Sequence, residues 1–355
     1  MTFVIGRKLD LGQRRKILPV FNYIKKDKNT QTWTDINQAN SNLEKTQHYA
    51  GQITEGSTMF TFAESKELLR VFRSIAGKCY YIGREGIEFY PQELLIFEYD
   101  GKGPKDGTVF VKNIQIQKSK YKIPSQRILL ETKYIYPLIR GRAVNKFSIE
   151  NENFIVPFPY EKKDYRRPVE VSKLEKESPL LLSYYKKYAS VIEAQTKFSD
   201  RIRGPNSGAF YGLARTGKYT FEDVHVVFRD NTKWGASVAK SSRMPWGENK
   251  GFVFQNHAVS ICERADNNGY IDEDEAHYIC AILNAPIVER FIYATTDMRS
   301  FKIRPPIFIP RYNGKDRNHK RLSELSRLAG GKQVIDPKIF MEIDSIYLKL
   351  CESRK

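Results

Sequence analysis

Four cysteines are all that 355 residues contain, and Cys79, Cys262, Cys280 and Cys351 are spaced too widely for a zinc signature or a secreted disulfide framework. Free cysteine is among the most buried residue types, so all four are expected to be reduced and mostly buried. The five histidines are scattered, with no pair at metal-ligand spacing, and no metal site is expected. No stretch approaches the ~18 uninterrupted apolar residues that a membrane crossing requires. The opening MTFVIGRKLDLGQRRK lacks the architecture of a signal peptide. These absences point to a soluble chain kept in the cytoplasm, with no membrane partner. Nucleotide and acyl-transfer motifs are missing too: there is no G-x-x-x-x-G-K-[ST] and no G-x-S-x-G, and the glycines of GREG and GPNSGAFYG lack fingerprint spacing. No catalytic residue is expected within the chain.

Acidic residues are scarce relative to basic ones. Lys and Arg number 59 against 41 Asp and Glu, a net charge of +18, which favours a polyanionic partner, nucleic acid first. The excess is uneven. Between Lys102 and Lys146 stand eleven basic residues and only two acidic ones, Asp106 and Glu131, so half of the net charge falls in about one eighth of the chain. Hydrophobic residues at 41% and aromatics at 13% suffice for real cores, and the length suggests about two domains.

Patterning predicts an α+β protein with two mainly β subdomains linked by a helix, followed by C-terminal helices. Residues 1–63 are polar and read as an irregular segment. Residues 64–177 form the first β-rich part: a helix with Leu68, Phe72 and Ile75 on one face and Gly77 as its stop, then strand candidates separated by turns such as DGKGPKDG. Residues 178–200 form the connecting helix, packed between the two β parts, with Ser178 as N-cap, Pro179 at the first position, and Leu181, Tyr185, Tyr188 and Ile192 on one face. Residues 201–316 form the second β-rich part, with a helix opened by Asp272 and Glu275 as a capping box and interrupted near Asn284 before Pro286. Residues 317–355 form the closing helices.

DNA readers combine phosphate-positioning cations with base-reading side chains on rigid elements or their loops. Three clusters fit. In the first, YPLIRGRAVNKF offers Arg140, Arg142 and Lys146 beyond a strand-like run, and KSKYKI places Lys118, Lys120 and Lys122 on one strand face. The second, RIRGPNSGAFYGLARTGKYTF, carries Arg201, Arg203, Tyr211, Arg215 and Lys218. The third, FRDNTKWGASVAKSSRMPW, carries Arg229, Asn231, Lys233, Trp234, Lys240 and Arg243; Arg84 of YIGREGIEFY completes the candidate set. The bland alternatives are a solvated lysine face, aromatics that belong to the core, and an Arg229–Asp230 pair. A nuclease reading rests on Glu98, Asp100, Asp106 and Lys112 near strand ends, without a compact E-x-K step. An RNA- or protein-binding module is the other alternative.

The ordered segments YIGREGIEFYPQELLIFE, VFVKNI, KYIYPLIRGRAVNKF, FIVPFPY, FYGLARTGKYTFEDVHVVFRDN, HYICAILNAPIVERFI and HKRLSELSRLA resemble the C-terminal target-recognition (specificity) domain of TaqI-like and type IIG adenine-specific DNA methyltransferases and restriction–modification enzymes. The resemblance spans roughly residues 64–330. It implies a domain that clamps double-stranded DNA against a methyltransferase catalytic domain, with the stretch matched by 201–243 facing the major groove and Arg140 and Arg142 lying towards DNA. It also implies that Asn284 and Pro286 are scaffold. The catalytic domain itself is absent: IVPFPY lacks the Asn of N-P-P-Y, and no S-adenosylmethionine loop is present. S-adenosylmethionine is therefore expected on a partner domain, in the same full-length protein or on a separate subunit, and an attached endonuclease stays open.

Overall fold

The computed structural model describes residues 17–26, 35–54, 59–117, 121–194, 209–299 and 301–354. The N-terminal segment is more regular than its composition suggests. Strands β1 (Ile17–Lys25) and β2 (Leu43–Gly51) pair antiparallel on either side of helix α1 (Ile36–Asn42), and β3 (Thr61–Ala63) joins β2. Most of β1 is exposed, so no hydrophobic alternation announces it. Helix α2 (Lys66–Ile75) then buries Leu69, Phe72 and Ile75, and the Ser65 hydroxyl accepts the Leu68 N–H at 3.0 Å.

The basic stretch builds the first large sheet. After β4 (Tyr81–Arg84) and the short helix α3 (Gln92–Leu95) come β5 (Phe97–Lys102), β6 (Thr108–Asn113), β7 (Arg127–Glu131), β8 (Ile135–Ile139), the hairpin β9 (Val144–Asn145) and β10 (Ser148–Ile149), and β11 (Phe154–Pro157). In β6, Val109 and Val111 point into the core while Lys112 faces out, the period-2 rule of a pleated strand. Strands β12 (Tyr160–Glu161) and β13 (Asp164–Pro168) form a small hairpin before α4 (Val171–Glu177), α5 (Pro179–Lys187) and α6 (residues 189–194).

Ser178 occupies the expected N-cap of α5 but makes no side-chain cap bond. The cap comes from Glu131 at the end of β7, whose two carboxylate oxygens accept the Leu180 and Leu181 N–H groups at 2.9 and 3.1 Å. One of the two acidic residues in the basic stretch is thus spent on a helix dipole. Leu181, Tyr185 and Ile192 bury in one cluster with residues of the first sheet and with Tyr211, Leu213 and Val253 of the second part.

The second part supplies β14 (His225–Arg229), β15 (Ala236–Ala239), the hairpin β16 (Ser242–Arg243) and β17 (Asn249–Lys250), β18 (Val253–Phe254) and β19 (Ala258–Arg264). Each part lends the other a strand. The six-stranded sheet runs β18-β8-β11-β5-β6-β7, with β18 parallel to β8, and the four-stranded sheet runs β15-β14-β19-β4. Helix α7 (Glu273–Leu283) backs the four-stranded sheet, its Asp272 cap accepting the Glu275 N–H at 2.9 Å. Glu275 does not return the bond of a capping box; it is buried and takes the Tyr81 hydroxyl at 2.6 Å and the Arg264 guanidinium. Pro286 opens α8 (Pro286–Thr295), and α9 (Arg317–Ala329) and α10 (Pro337–Glu352) close the core with Leu322, Ile343 and Tyr347. All four cysteines are free and buried, and burial pushes the Cys79 thiol up to about 11 and Cys280 to about 12. Among the described residues no helix is long and apolar enough to cross a membrane.

Candidate nucleic-acid interface

Just past the end of β8 stands Gly141, where a side chain would meet the His257 carbonyl at 2.2 Å. That close approach seats the segment 140–152 against the turn before β19. Its arginines find an anion inside the protein. Arg140 donates to both Glu152 oxygens at 2.9 and 2.7 Å, and its guanidinium lies 3.9 Å from the Phe154 ring centroid. Arg142 reaches the same carboxylate at 2.6 Å, yet its side chain stays 62% exposed against 9% for Arg140. Burial raises the Glu152 carboxyl, and hydrogen bonding from Arg142 opposes that shift. Lys146 pairs with Glu289 at 2.6 Å.

The third sequence cluster folds beside this hairpin. Lys233 donates to the Asn145 side chain at 3.0 Å, and Asn145 donates to Glu150 at 2.7 Å. Arg229 donates to the Asn231 amide oxygen at 3.2 Å instead of pairing with Asp230, which accepts from His257 Nδ1 at 3.1 Å. Thr232 holds φ +60°, a left-handed backbone rare for a β-branched residue. Next to these loops a cleft of about 630 Å³ opens between the two sheets, with Glu150, Glu152 and Phe154 on one wall and Lys240, Arg243 and Met244 on the other. Lys240 meets Glu273 at 2.5 Å and lowers its carboxyl. Arg243 is exposed at the cleft and has no intramolecular partner among the described residues.

A second group forms where β4 meets β19. Arg84 pairs with Glu263 at 2.6 Å, Arg215 pairs with Glu85 at 2.8 Å with φ +66°, and Lys218 is exposed. Within the candidate set, the described cations without a carboxylate partner are Lys122, Lys218, Arg229, Lys233 and Arg243; the others are already neutralised by their own fold.

Several candidates sit elsewhere than expected. Trp234 is fully buried, its indole donating to the Leu283 carbonyl at 2.6 Å, and Tyr211 is buried, its ring centroid 5.0 Å from that of Tyr185. Both are core residues, because each ring has an apolar pocket and a buried acceptor to fill. Arg140 is likewise buried and serves the hairpin. Lys122 is exposed at φ +45° outside any strand, so it does not continue an alternating lysine face. Lys118, Lys120, Arg201 and Arg203 lie outside the described residues. Asn284 is wholly buried and bonds both the Ala236 N–H at 2.9 Å and its C=O at 2.7 Å, a scaffold role. Of the nuclease group, Asp100 is paired with Arg127 at 2.5 Å and Glu98 stands opposite Lys112 in the β5–β6 register. Among the described residues no group of three or more His, Cys, Asp or Glu is placed to hold a metal ion. Sequence reasoning missed Asn145, Glu152 and His257; only the polar run after Gly141 and the QNH turn hinted at them. No family model and no curated protein matches the chain.

Proposed function

We propose that this chain recognises duplex DNA in a sequence-specific way, as the target-recognition part of a restriction–modification adenine methyltransferase. The observation that carries the reading is a cleft lined by 149–155 and 238–245, with the 229–233 loop tied to the 140–152 segment through the Lys233–Asn145 bond, and with Arg229, Lys233 and Arg243 left without carboxylate partners. Such cations hold phosphates, while amides such as Asn231 can satisfy the donor and acceptor edge of an adenine. Arg142, exposed and singly bonded, can exchange Glu152 for a phosphate at small cost. The catalytic domain and its S-adenosylmethionine would sit on a partner, and no residue of this chain is assigned to that cofactor. The ordered resemblance and the net charge of +18 support the same reading.

Selection from a pool of random duplex DNA at moderate salt tests it. Enrichment of one short motif in the retained fraction is the expected result, with affinity falling steeply as salt rises. Retention without enrichment, repeated with the catalytic partner present, would reduce the function to charge-driven binding. Preference for RNA at matched salt would overturn it.

A further inference from the structure

In the N-terminal sheet, of order β1-β2-β3, β1 is an edge strand among the described residues. Its ladder with β2 runs unbroken over nine residues, from Ile17 opposite Gly51 to Lys25 opposite Leu43. The Lys26 N–H donates to the Asn42 carbonyl at 2.9 Å, which fixes the phase of that ladder. Hydrogen-bonded and non-bonded pairs alternate between antiparallel strands, so Leu18, Val20, Asn22 and Ile24 bond towards β2. Ile17, Phe21 and Tyr23 therefore turn their N–H and C=O groups away from β2. Pro19 shares their direction, and it sits where an edge tolerates a missing N–H.

The side chains flanking this edge are apolar. Phe21, Tyr23 and Ile24 are 47, 50 and 51% exposed, and Leu18 is exposed beside them. Lys45 lies 4.1 Å from the Phe21 ring centroid and holds the ring over the ladder. Natural edges are blunted by charges, proline or a bulge, yet residues 20–24 carry none of these. We propose that β1 pairs antiparallel with β1 of a second copy of this chain. A two-fold axis at Phe21 sets Phe21 against its own copy, Tyr23 against Pro19 and Ile24 against Leu18, so each exposed apolar side chain meets another. Lys25, the one charged residue of the strand, falls opposite Ile17, so no like charges face each other. Each Phe21 N–H then bonds the opposite Phe21 carbonyl, and each Tyr23 N–H bonds a Pro19 carbonyl. This self-matched order favours a second copy over an unrelated strand. Pairing covers on the order of 1,000 Å² in total, the lower bound of a specific interface, so the dimer is reversible and concentration-dependent. The proposal stands whether or not the DNA reading holds.

Sedimentation velocity of the full chain over a wide concentration range tests it. A monomer–dimer equilibrium is expected, and raised salt should strengthen it, because each copy carries +18 and screening weakens their repulsion. Salt weakens DNA binding, so the two associations separate in one titration. Phe21→Glu should abolish most of the dimer: it sets two carboxylates against each other across the axis, while Lys45 answers each within its own hairpin and keeps it folded. Phe62→Glu, at an exposed position on the opposite edge strand β3, should leave the dimer unchanged. The four native cysteines are buried, so air oxidation of Phe21→Cys should give a disulfide-linked dimer, whereas Phe62→Cys should not. A chain monomeric at every concentration would overturn the proposal and leave the edge to another partner. So would a dimer that survives Phe21→Glu, is lost equally in Phe62→Glu, or fails to crosslink through Phe21→Cys.

Discussion

Arg140 and Arg142 stand two residues apart and share one carboxylate, yet they do different work. Arg140 is buried in a twin hydrogen bond with Glu152, so Arg140→Gln leaves a partly buried carboxylate short of its partner and is expected to cost about 3 kcal/mol in urea denaturation. Arg142 is mostly exposed, and Arg142→Gln should move stability by less than about 0.5 kcal/mol. Its effect belongs to binding: weaker affinity for all duplexes and a salt slope reduced by about one. Equal stability losses in the two variants would refute the division. Thr232 offers a test of strain in the same loop. Its left-handed backbone disfavours a β-branched side chain, so Thr232→Gly should raise stability by about 1 kcal/mol. An unchanged or lower unfolding midpoint would show that the loop relaxes instead.

At the scale of elements, the α5 terminus separates local from tertiary capping. Ser178 sits at the N-cap with its hydroxyl buried and unpartnered, while Glu131 of β7 takes two of the free N–H groups. Glu131→Ala is therefore expected to lower stability by about 1–2 kcal/mol, and Ser178→Ala to be neutral or slightly favourable. Thermal melts of the two single variants decide it, and a larger loss for Ser178→Ala would reverse the assignment. The exchange of β4 and β18 matters at the same scale. Each strand is short, but each completes the other part's sheet, which fixes the two sheets against one another and keeps the cleft between them open.

For the whole molecule, pH is the sharpest probe of packing. Burial lowers His225 to about 4, and burial with the nearby Arg327 charge lowers His277 to about 4. An unfolded histidine titrates near ~6.5, so the unfolded chain binds more protons between these values. Stability should be full above about pH 6.5 and fall as pH drops towards 4, by up to about 1.4 kcal/mol per pH unit for each ring. Urea midpoints at neutral pH and near pH 5 check the slope, and His225→Phe should flatten part of it. A midpoint that stays constant over that window would falsify the assignment of neutral, buried rings.

The amino-acid order by itself determined the features whose partners are near in the chain. The Asp272 cap, the helix start at Pro286, the alternation of β6 and the turn between β5 and β6 were all legible, because a cap, a ring closure and a pleat act within a few residues. It also determined that a strongly basic surface must exist. Which cations remain free to meet an anion was decided by tertiary structure. Glu152, Glu289 and Glu273 claim Arg140, Lys146 and Lys240 because folding brings those carboxylates within hydrogen-bond distance. Trp234 and Tyr211 are core for the same reason: large rings in a polar stretch read as contacts until the fold supplies the Leu283 and Val169 carbonyls that they bond. Charge is a property of composition. Its availability depends on which opposite charges the fold places beside it.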